Sequence, residues 1–132
     1  MGEAVISKRR AGEALGGLRV ADPRPRLADG LVQGTRCSAC RLPIAQEAPW
    51  CPRCGSAELK PEAFGPEGVV WASTVVHLPV GRRRPPFAIA YVDLDDGPRV
   101  LAHLTTPEVL AAGTRVRLAG DDEGDILAEE VS

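Results

Sequence analysis

The chain has 132 residues, 44% hydrophobic and 26% charged, with a net charge of −2. This composition suits a soluble globular protein with one modest core or two small ones. No apolar run reaches the length of about 18 residues that a membrane span needs, and charges and glycines interrupt the N-terminal segment, so neither a span nor a secretory signal is expected and a cytoplasmic location is predicted. Ten Lys and Arg stand against six acids through Lys60, and six Arg against twelve acids from Pro61 onward. This asymmetry argues against one uniform polyanion-binding surface.

Residues 1–34 form the first predicted unit, an N-terminal arm that docks on the rest of the chain or on a partner. Glycines weaken a short helical piece at 13–18, and Pro23 and Pro25 push the residues before them toward extended backbone. The arm is therefore expected to be partly helical and partly extended. A frayed terminus is the alternative.

Residues 35–60 form the second predicted unit and contain all four cysteines: Cys37, Cys40, Cys51 and Cys54. They make two CxxC pairs with ten residues between them, long enough for a minimal hairpin that turns the second pair back to the first. Two such pairs supply the four thiolates of a tetrahedral zinc site, whereas disulfide or redox use is disfavoured in a reducing compartment. Gly55 follows the second pair, where left-handed backbone is wanted, and Arg41 holds the matching place after the first. The spacing predicts a zinc ribbon.

The predicted zinc ion is structural. A catalytic zinc needs an open coordination position, and four cysteine ligands leave none. A ribbon of about 25 residues also buries too little apolar surface to fold alone. Zn²⁺ is therefore expected to hold the ribbon together and to perform no chemistry.

Residues 61–132 form the third predicted unit, rich in β-formers and interrupted by turns. Asp96-Gly97 is a strong hairpin signal, and an acidic turn at 121–124 joins the last two strands. Thr106 as an N-cap predicts one or two helical turns over 106–113. Five strands with a helix between the third and fourth favour a closed OB-fold barrel over a small sandwich, so the predicted fold class is mainly β. The strands are predicted at 68–80, 87–95, 98–105, 114–120 and 125–132.

No catalytic set is found among the remaining residues. His77 and His103 each lie in a β run without a neighbouring carboxylate, which favours hydrogen-bonded or surface histidines. Turn chemistry explains the acidic cluster at 93–96, and the sequence lacks GxSxG, Walker and GxGxxG motifs. The chain is therefore predicted not to be an enzyme by itself.

A zinc ribbon beside an OB barrel suggests nucleic-acid binding, but the composition disfavours it. Single strands bind on aromatic platforms along a basic groove. Here the barrel half is acidic, and its aromatic residues Trp71, Phe87 and Tyr91 are expected in the core. One basic loop contains Arg82, Arg83 and Arg84. This loop is either a solvated turn or an anchor for phosphates or for an acidic partner.

Three stretches resemble one protein family: RCSACRLPIAQEAPWCPRCGS, then FGPEGVVWASTVVHLPVGRRRPPFAIAYVDLDDGPRVLAHL, then GTRVRLAG. In order and spacing they are similar to the thiolase-associated proteins, often called acyl-CoA-associated, which join an N-terminal zinc ribbon to a C-terminal OB-fold. The resemblance covers residues 31 to about 120. It implies a non-catalytic accessory subunit of a thiolase-fold complex (a thiolase, aldolase or acyltransferase acting on acyl-CoA) that bridges subunits and helps to bind the CoA or acyl moiety.

The resemblance also implies partners and contact positions. A thiolase-like protein is the expected partner, with acyl-CoA at or near the interface; nucleic acid is the less favoured alternative, and no membrane is expected. Leu31, Val32 and Trp50 are the candidate partner contacts. The candidate CoA contacts are all arginines: Arg36, Arg41, Arg53, Arg82, Arg83 and Arg84.

Overall fold

The computed structural model describes residues 22–132. Within this range all regular secondary structure is β-strand. The nine strands are β1 (Leu27–Ala28), β2 (Leu31–Cys37), β3 (Pro43–Ile44), β4 (Leu59–Phe64), β5 (Glu67–Val76), β6 (Phe87–Leu94), β7 (Arg99–Leu104), β8 (Arg115–Asp122) and β9 (Asp125–Glu130). Most of the predicted arm, including the helical piece at 13–18, lies outside the described residues. In the part of the chain that is described, no helix has the length and hydropathy that crossing a membrane requires.

The first sheet is built around β2, which pairs antiparallel with β1, β3 and β4. The predicted unit boundaries after residues 34 and 60 both fall inside strands, because β2 leads from the arm into the ribbon and β4 leads from the ribbon toward the barrel. β2 also runs very close to the chain at β3: a Cβ added at Gly34 would lie 2.1 Å from the carbonyl oxygen of Ile44. The absence of a side chain at Gly34 permits this approach.

The second sheet closes into a five-stranded barrel with the order β5-β6-β7-β9-β8. Neighbouring strands are antiparallel except β7 and β9, which are parallel, and β8 pairs with β5 to close the barrel. Buried and outward-facing residues alternate along β6 and β7, as they do in a filled barrel. The prediction of a mainly β fold, with a four-cysteine ribbon followed by an OB-fold barrel, is confirmed.

The helix predicted at 106–113 is wrong, because the segment between β7 and β8 is an irregular loop. Ser73 of β5 satisfies the backbone of this loop: its hydroxyl donates to the Leu110 carbonyl at 2.7 Å and accepts from the Leu110 N–H at 2.8 Å. Eight residues gain too few helical hydrogen bonds to offset the cost of helix nucleation. The tertiary hydrogen bonds from the barrel take their place.

One hydrophobic core joins the two sheets. Val32 of β2 and Phe64 of β4 belong to a cluster whose other members all lie in the barrel strands. The ribbon sheet is therefore packed on the barrel through shared apolar burial. Val32 is completely buried in this cluster. Contrary to the expectation from the sequence, it presents no surface to a partner.

Candidate metal centre and neighbouring surfaces

The cysteines lie in two equivalent turns. Cys37 ends β2, and its carbonyl accepts from the N–H of Arg41 at 2.9 Å; the carbonyl of Cys51 accepts from the N–H of Gly55 at the same distance. Arg41 and Gly55 both have left-handed backbone, with φ of 70° and 80°. The two turns therefore match each other as the CxxC spacing indicated, although the first uses a residue other than glycine.

The four sulfur atoms form one compact cluster, all within 4.8 Å of one another. The Cys37 and Cys54 sulfurs are 3.6 Å apart, as are the Cys40 and Cys51 sulfurs. Tetrahedral zinc with bonds of about 2.3 Å places its sulfurs about 3.8 Å apart, whereas a disulfide needs about 2.0 Å. The four cysteines are free thiols, and their arrangement fits a single four-coordinate metal ion.

The thiols differ widely in acidity. A hydrogen bond from the Leu42 N–H outweighs burial and lowers the pKa of Cys40 to about 6. At Cys54 the Ser56 N–H acts in the same direction, but burial and the other three thiols outweigh it and raise the pKa to about 11. Thiols this close resist joint ionisation, because each thiolate disfavours the next. A divalent cation removes that penalty, so the chemistry of the donor set fits a bound metal.

Nearby donors offset part of the negative charge of the cluster. The backbone N–H groups of Cys40 and Arg53 point at the sulfurs of Cys37 and Cys51, each at 3.4 Å. The Arg53 side chain donates to the Cys40 carbonyl at 3.0 Å, and interaction with the Cys40 side chain raises the pKa of the Arg53 guanidinium. Arg53 is exposed, so it is a charge partner of the cluster that still faces solvent.

Arg36 is a structural residue that joins the ribbon to the barrel. Its side chain is 8% exposed and pairs with the Glu62 carboxylate, with Nε to Oε1 and Nη2 to Oε2 both at 3.0 Å. It also donates to the carbonyl of Arg41 at 3.0 Å and to that of Asp96 at 2.7 Å, and lies 5.5 Å from the Phe64 ring centroid. These contacts link the first cysteine turn, β4 and the β6–β7 turn. Contrary to the expectation from the sequence, Arg36 is not free to contact CoA.

The basic loop between β5 and β6 is closed onto the acidic turn between β8 and β9. Arg82 pairs with Asp122 at 2.6 Å and with Glu123 at 3.2 Å, and Arg83 pairs with Asp125 at 3.0 Å. Carboxylates of the same chain thus neutralise two of the three arginines in the loop. Arg84 is exposed, and within residues 22–132 it makes no ion pair. It is the arginine of this loop whose charge no described carboxylate neutralises.

The chain is similar to several known proteins. The family model for the C-terminal OB-fold domain of ChsH2 matches residues 62–121. A DUF35 domain-containing scaffold protein of Pyrococcus furiosus is 33% identical over 104 residues, which cover 71% of this chain and 76% of that protein. The chain belongs to the DUF35 family. This DUF35 chain is also similar to the solved structure of the Ltp2-ChsH2(DUF35) aldolase, with a TM-score of 0.62 and 25% sequence identity over 76% of this chain and 84% of that chain. These matches confirm the family that the sequence resembles.

In this DUF35 chain the described end of the arm is fastened to the barrel at Asp125. Arg24 donates to the Asp125 carboxylate and to the Glu123 carbonyl, each at 3.0 Å, and Arg83 donates to the same carboxylate at 3.0 Å. His103 Nε2 lies 3.7 Å from it. Burial, and then the charge of Arg83, lower the pKa of His103, so its ring is neutral at neutral pH. Asp125 therefore connects the arm, the basic loop and the barrel.

The Asp125→Asn variant is expected to lose about 1 to 2 kcal/mol of unfolding free energy at pH 7, because charge-assisted hydrogen bonds from Arg24 and Arg83 are lost. Burial alone would raise the pKa of Asp125, but those hydrogen bonds outweigh it and hold the pKa below its ordinary value of 3.8. A depressed carboxylate pKa stabilises the fold above the unfolded-state pKa, and this stabilisation disappears as pH falls through the folded-state pKa. In urea unfolding, the difference from wild type should be full at pH 7 and shrink below about pH 4.

Glu129→Gln is the matched control for Asp125→Asn, because Glu129 is exposed and forms no ion pair among the described residues. It should leave the urea midpoint unchanged at both pH values. A pH-independent difference for Asp125→Asn, or an equal loss in the control, would contradict the role given to Asp125.

Two aromatic residues that the sequence led us to expect in the core lie outside it. Trp71 and Tyr91 are 53% and 48% exposed on β5 and β6. Alternation with the buried Ala90 and Val92 could have placed Tyr91 outward. Alternation with the buried Gly68 and Val70 likewise places Trp71 outward.

The predicted partner contacts differ in exposure. Trp50 is 61% exposed in the ribbon, Leu31 is half-buried and Val32 is in the core. Trp50 is the member of this set with a large accessible apolar surface.

Proposed function

We propose that this DUF35 chain is a non-catalytic accessory subunit of a thiolase-fold enzyme complex acting on acyl-CoA, in which it bridges partner subunits. The observation that carries the proposal is the match to the Ltp2-ChsH2(DUF35) aldolase, a structure whose name joins a DUF35 chain to an enzyme; it spans 76% of this chain and 84% of that one. The Pyrococcus furiosus relative is named a scaffold protein. The scaffold name favours a role in assembly over a role in chemistry.

The side chains that carry chemistry in other proteins support this role. The four cysteine sulfurs are grouped for a metal ion. His103 is neutral and stacked on Phe87, with ring centroids 5.9 Å apart, and His77 is exposed. Among the residues that the structure describes, no hydrogen bond joins either histidine to a serine, threonine or cysteine. A nucleophile activated by a general base is therefore not assembled in this part of the chain.

We propose Zn²⁺ as the metal, held by Cys37, Cys40, Cys51 and Cys54. Sulfur separations of 3.6 Å suit its tetrahedral coordination. The ion would cross-link the end of β2 to the second cysteine turn. Because four thiolates fill its coordination sphere, it would leave no position for water or substrate.

Affinity purification of the tagged full-length chain from its native host tests the accessory role. We expect a thiolase-fold protein, identified by mass spectrometry, to be recovered in a fixed whole-number ratio and to survive a high-salt wash. A chain that elutes alone, or together with nucleic acid in place of a protein subunit, would contradict the proposal.

We further propose that CoA contacts come from the exposed arginines. Arg41 and Arg53 flank the cysteine cluster, and Arg84 lies in the basic loop; all three are exposed. Guanidinium groups recognise phosphates through charge-assisted hydrogen bonds, and a carboxylate of the same chain competes for those bonds. Arg36, Arg82 and Arg83 are held by acids of their own chain, so they are the weaker candidates.

The Arg84→Ala variant is expected to weaken acyl-CoA binding by the purified complex about tenfold, the effect of losing one charge-assisted contact. Arg82→Ala is the matched control, two residues away, because the Arg82 guanidinium is occupied by Asp122. Isothermal titration calorimetry of the two variant complexes measures the difference. Equal affinities for both variants and wild type would identify the loop as a solvated turn.

Nucleic-acid binding is the second candidate function, because exposed Trp71 and Tyr91 on an OB barrel resemble a stacking platform. Anisotropy of a fluorescent single-stranded oligonucleotide tests it. Binding that resists moderate salt would favour this function. The charges around the two rings are paired with one another, so they do not favour binding to phosphates.

A further inference from the structure

The outer face of β5, β6 and β7 carries an exposed aromatic and aliphatic patch. Trp71, Tyr91 and Leu101 are 53%, 48% and 44% exposed, and Tyr91 is directly opposite Leu101 in the β6–β7 register. The Trp71 and Tyr91 rings meet edge to face with centroids 6.2 Å apart. Together with Arg99 we call these residues the aromatic face. Large apolar side chains grouped on a surface, unlike single ones, mark interaction sites.

A β-bulge lies at Trp71 in this face. Val70 is opposite Val92 and Ala72 is opposite Tyr91 in the β5–β6 register, so Trp71 is the extra residue on β5. Gly68 and Val70 are buried, so Trp71 faces outward by alternation, and the bulge leaves Ala72 exposed beside it. Bulges commonly re-aim a side chain near a functional site. The fold therefore exposes a tryptophan, the largest side chain, to solvent at this point instead of packing it in the core.

Arg99 holds Trp71 in place before any partner arrives. The guanidinium carbon lies 4.0 Å from the centroid of the Trp71 ring, within the range of a cation–π interaction. The same guanidinium donates to both oxygens of Asp93, at 2.6 and 3.1 Å. A side chain ordered in advance loses less conformational entropy on binding.

The charges beside the aromatic face define the chemistry of its occupant. Register places Arg115, Val69, Asp93 and Arg99 in one row across β8, β5, β6 and β7. Arg99 pairs with Asp93; Arg115 pairs with Asp95 and Glu67, and Arg117 pairs with Glu67. Three arginines and three carboxylates thus neutralise one another.

A polyanion or an acidic peptide would find no unpaired guanidinium in that set, and a basic peptide would find no unpaired carboxylate. The complementary surface is instead apolar and poor in charge. Trp, Tyr and Arg are also the residue types enriched at the energetic centres of protein–protein interfaces. Both features point to a protein surface as the occupant.

We propose that the aromatic face is the docking surface for the partner enzyme subunit, through an apolar, charge-poor patch on that subunit. This inference rests on the proposed accessory function and deepens it by assigning the contact to the barrel. Trp50 in the ribbon is the competing contact, and the chain contains only these two tryptophans.

Fluorine NMR of the full chain labelled with fluorotryptophan distinguishes the two contacts. The two resonances are assigned with Trp50→Phe and Trp71→Phe, and unlabelled, purified thiolase-fold subunit is then added. We expect the Trp71 resonance to shift and to lose its solvent isotope effect as the ring becomes buried. A Trp71 resonance that is unmoved while the complex forms would overturn the inference.

Affinity measurements on variants that carry a new charge provide a second test of the docking surface. Leu101→Glu should weaken subunit binding at least about thirty-fold, as expected at the centre of an interface. Leu78→Glu is the matched control, because Leu78 is 72% exposed in the β5–β6 loop, beyond the end of the strand that carries Trp71. It should change affinity by no more than about twofold, as expected outside the contact. Both variants alter exposed residues, and thermal unfolding verifies that they fold.

The other outcomes separate this inference from the proposed function. If the wild-type chain binds no thiolase-fold subunit, the accessory function fails and the inference fails with it. If the wild type binds and Leu101→Glu binds equally well, the inference alone is overturned. Concentration-dependent dimers abolished by Leu101→Glu would assign the face to a second copy of the chain, and quenching of Trp71 by an oligonucleotide would assign it to nucleic acid; either result overturns it.

Discussion

Removal of the metal is expected to unfold the ribbon while the barrel stays closed. Within residues 35–60 the buried residues are Thr35, Arg36, Cys37 and Cys51, so this segment has no aliphatic core of its own. Structural zinc sites contribute on the order of 10 kcal/mol or more of binding free energy to folding. The barrel instead buries a continuous apolar cluster with members in β5 to β9, which does not depend on the sulfurs.

Hydrogen exchange measured by mass spectrometry, before and after chelation, tests this expectation. Amides of β3 and of the two cysteine turns should lose protection, those of β6 and β7 should keep it, and added Zn²⁺ should restore the wild type. Cys51→Ser should behave like the chelated chain and should retain no stoichiometric metal by elemental analysis. A chain verified to be metal-free whose cysteine turns remain fully protected would contradict the account of the centre.

Replacing Arg36 is expected to have the second large effect, about 3 kcal/mol of unfolding free energy for Arg36→Met. The substitution keeps apolar contact with Phe64 but leaves the Glu62 carboxylate and the carbonyls of Arg41 and Asp96 without their donor. Hydrogen bonds to a charged donor in a buried site are the costly ones to lose. Arg36→Lys should recover only part of the stability, since an ammonium cannot reproduce the planar fork.

Urea unfolding followed by circular dichroism measures these stabilities, with Arg26→Met as the control. Arg26 is exposed, and its side chain forms no ion pair in the described part of the chain, so its replacement should shift the unfolding free energy by less than about 0.5 kcal/mol. If Arg36→Met is as mild as this control, Arg36 does not connect the ribbon to the barrel.

The features that the sequence predicts well are those determined by residues close together in the chain. The β-forming runs FAIAYVDL and RVLAHL correspond to β6 and β7, and Asp96-Gly97 lies at their turn, where the Gly97 N–H donates to the Leu94 carbonyl at 2.9 Å. The two CxxC pairs bring four sulfurs together as their spacing indicates. In each case the physical determinant spans only a few consecutive residues or one hairpin.

The features that the sequence does not reveal depend on contacts between distant segments. Arg36 and Asp96 are 60 residues apart, and Arg82 and Asp122 are 40 apart, so no spacing rule identifies arginines that their own chain neutralises. The sequence at 106–113 contains residues typical of a helix start, but hydrogen bonds from Ser73 stabilise an irregular loop there instead. The bulge that leaves Ala72 exposed beside Trp71 is a property of the register of two strands and not of either alone.

The division of labour between the chain and its partner is tested most directly by acyl-CoA turnover with purified components. The DUF35 chain loaded with metal, its co-purified thiolase-fold subunit, and the reconstituted complex are assayed side by side with the same acyl thioester. The account predicts bond making or cleavage in the complex and a blank-level rate for the chain alone. Turnover by the isolated chain would contradict it.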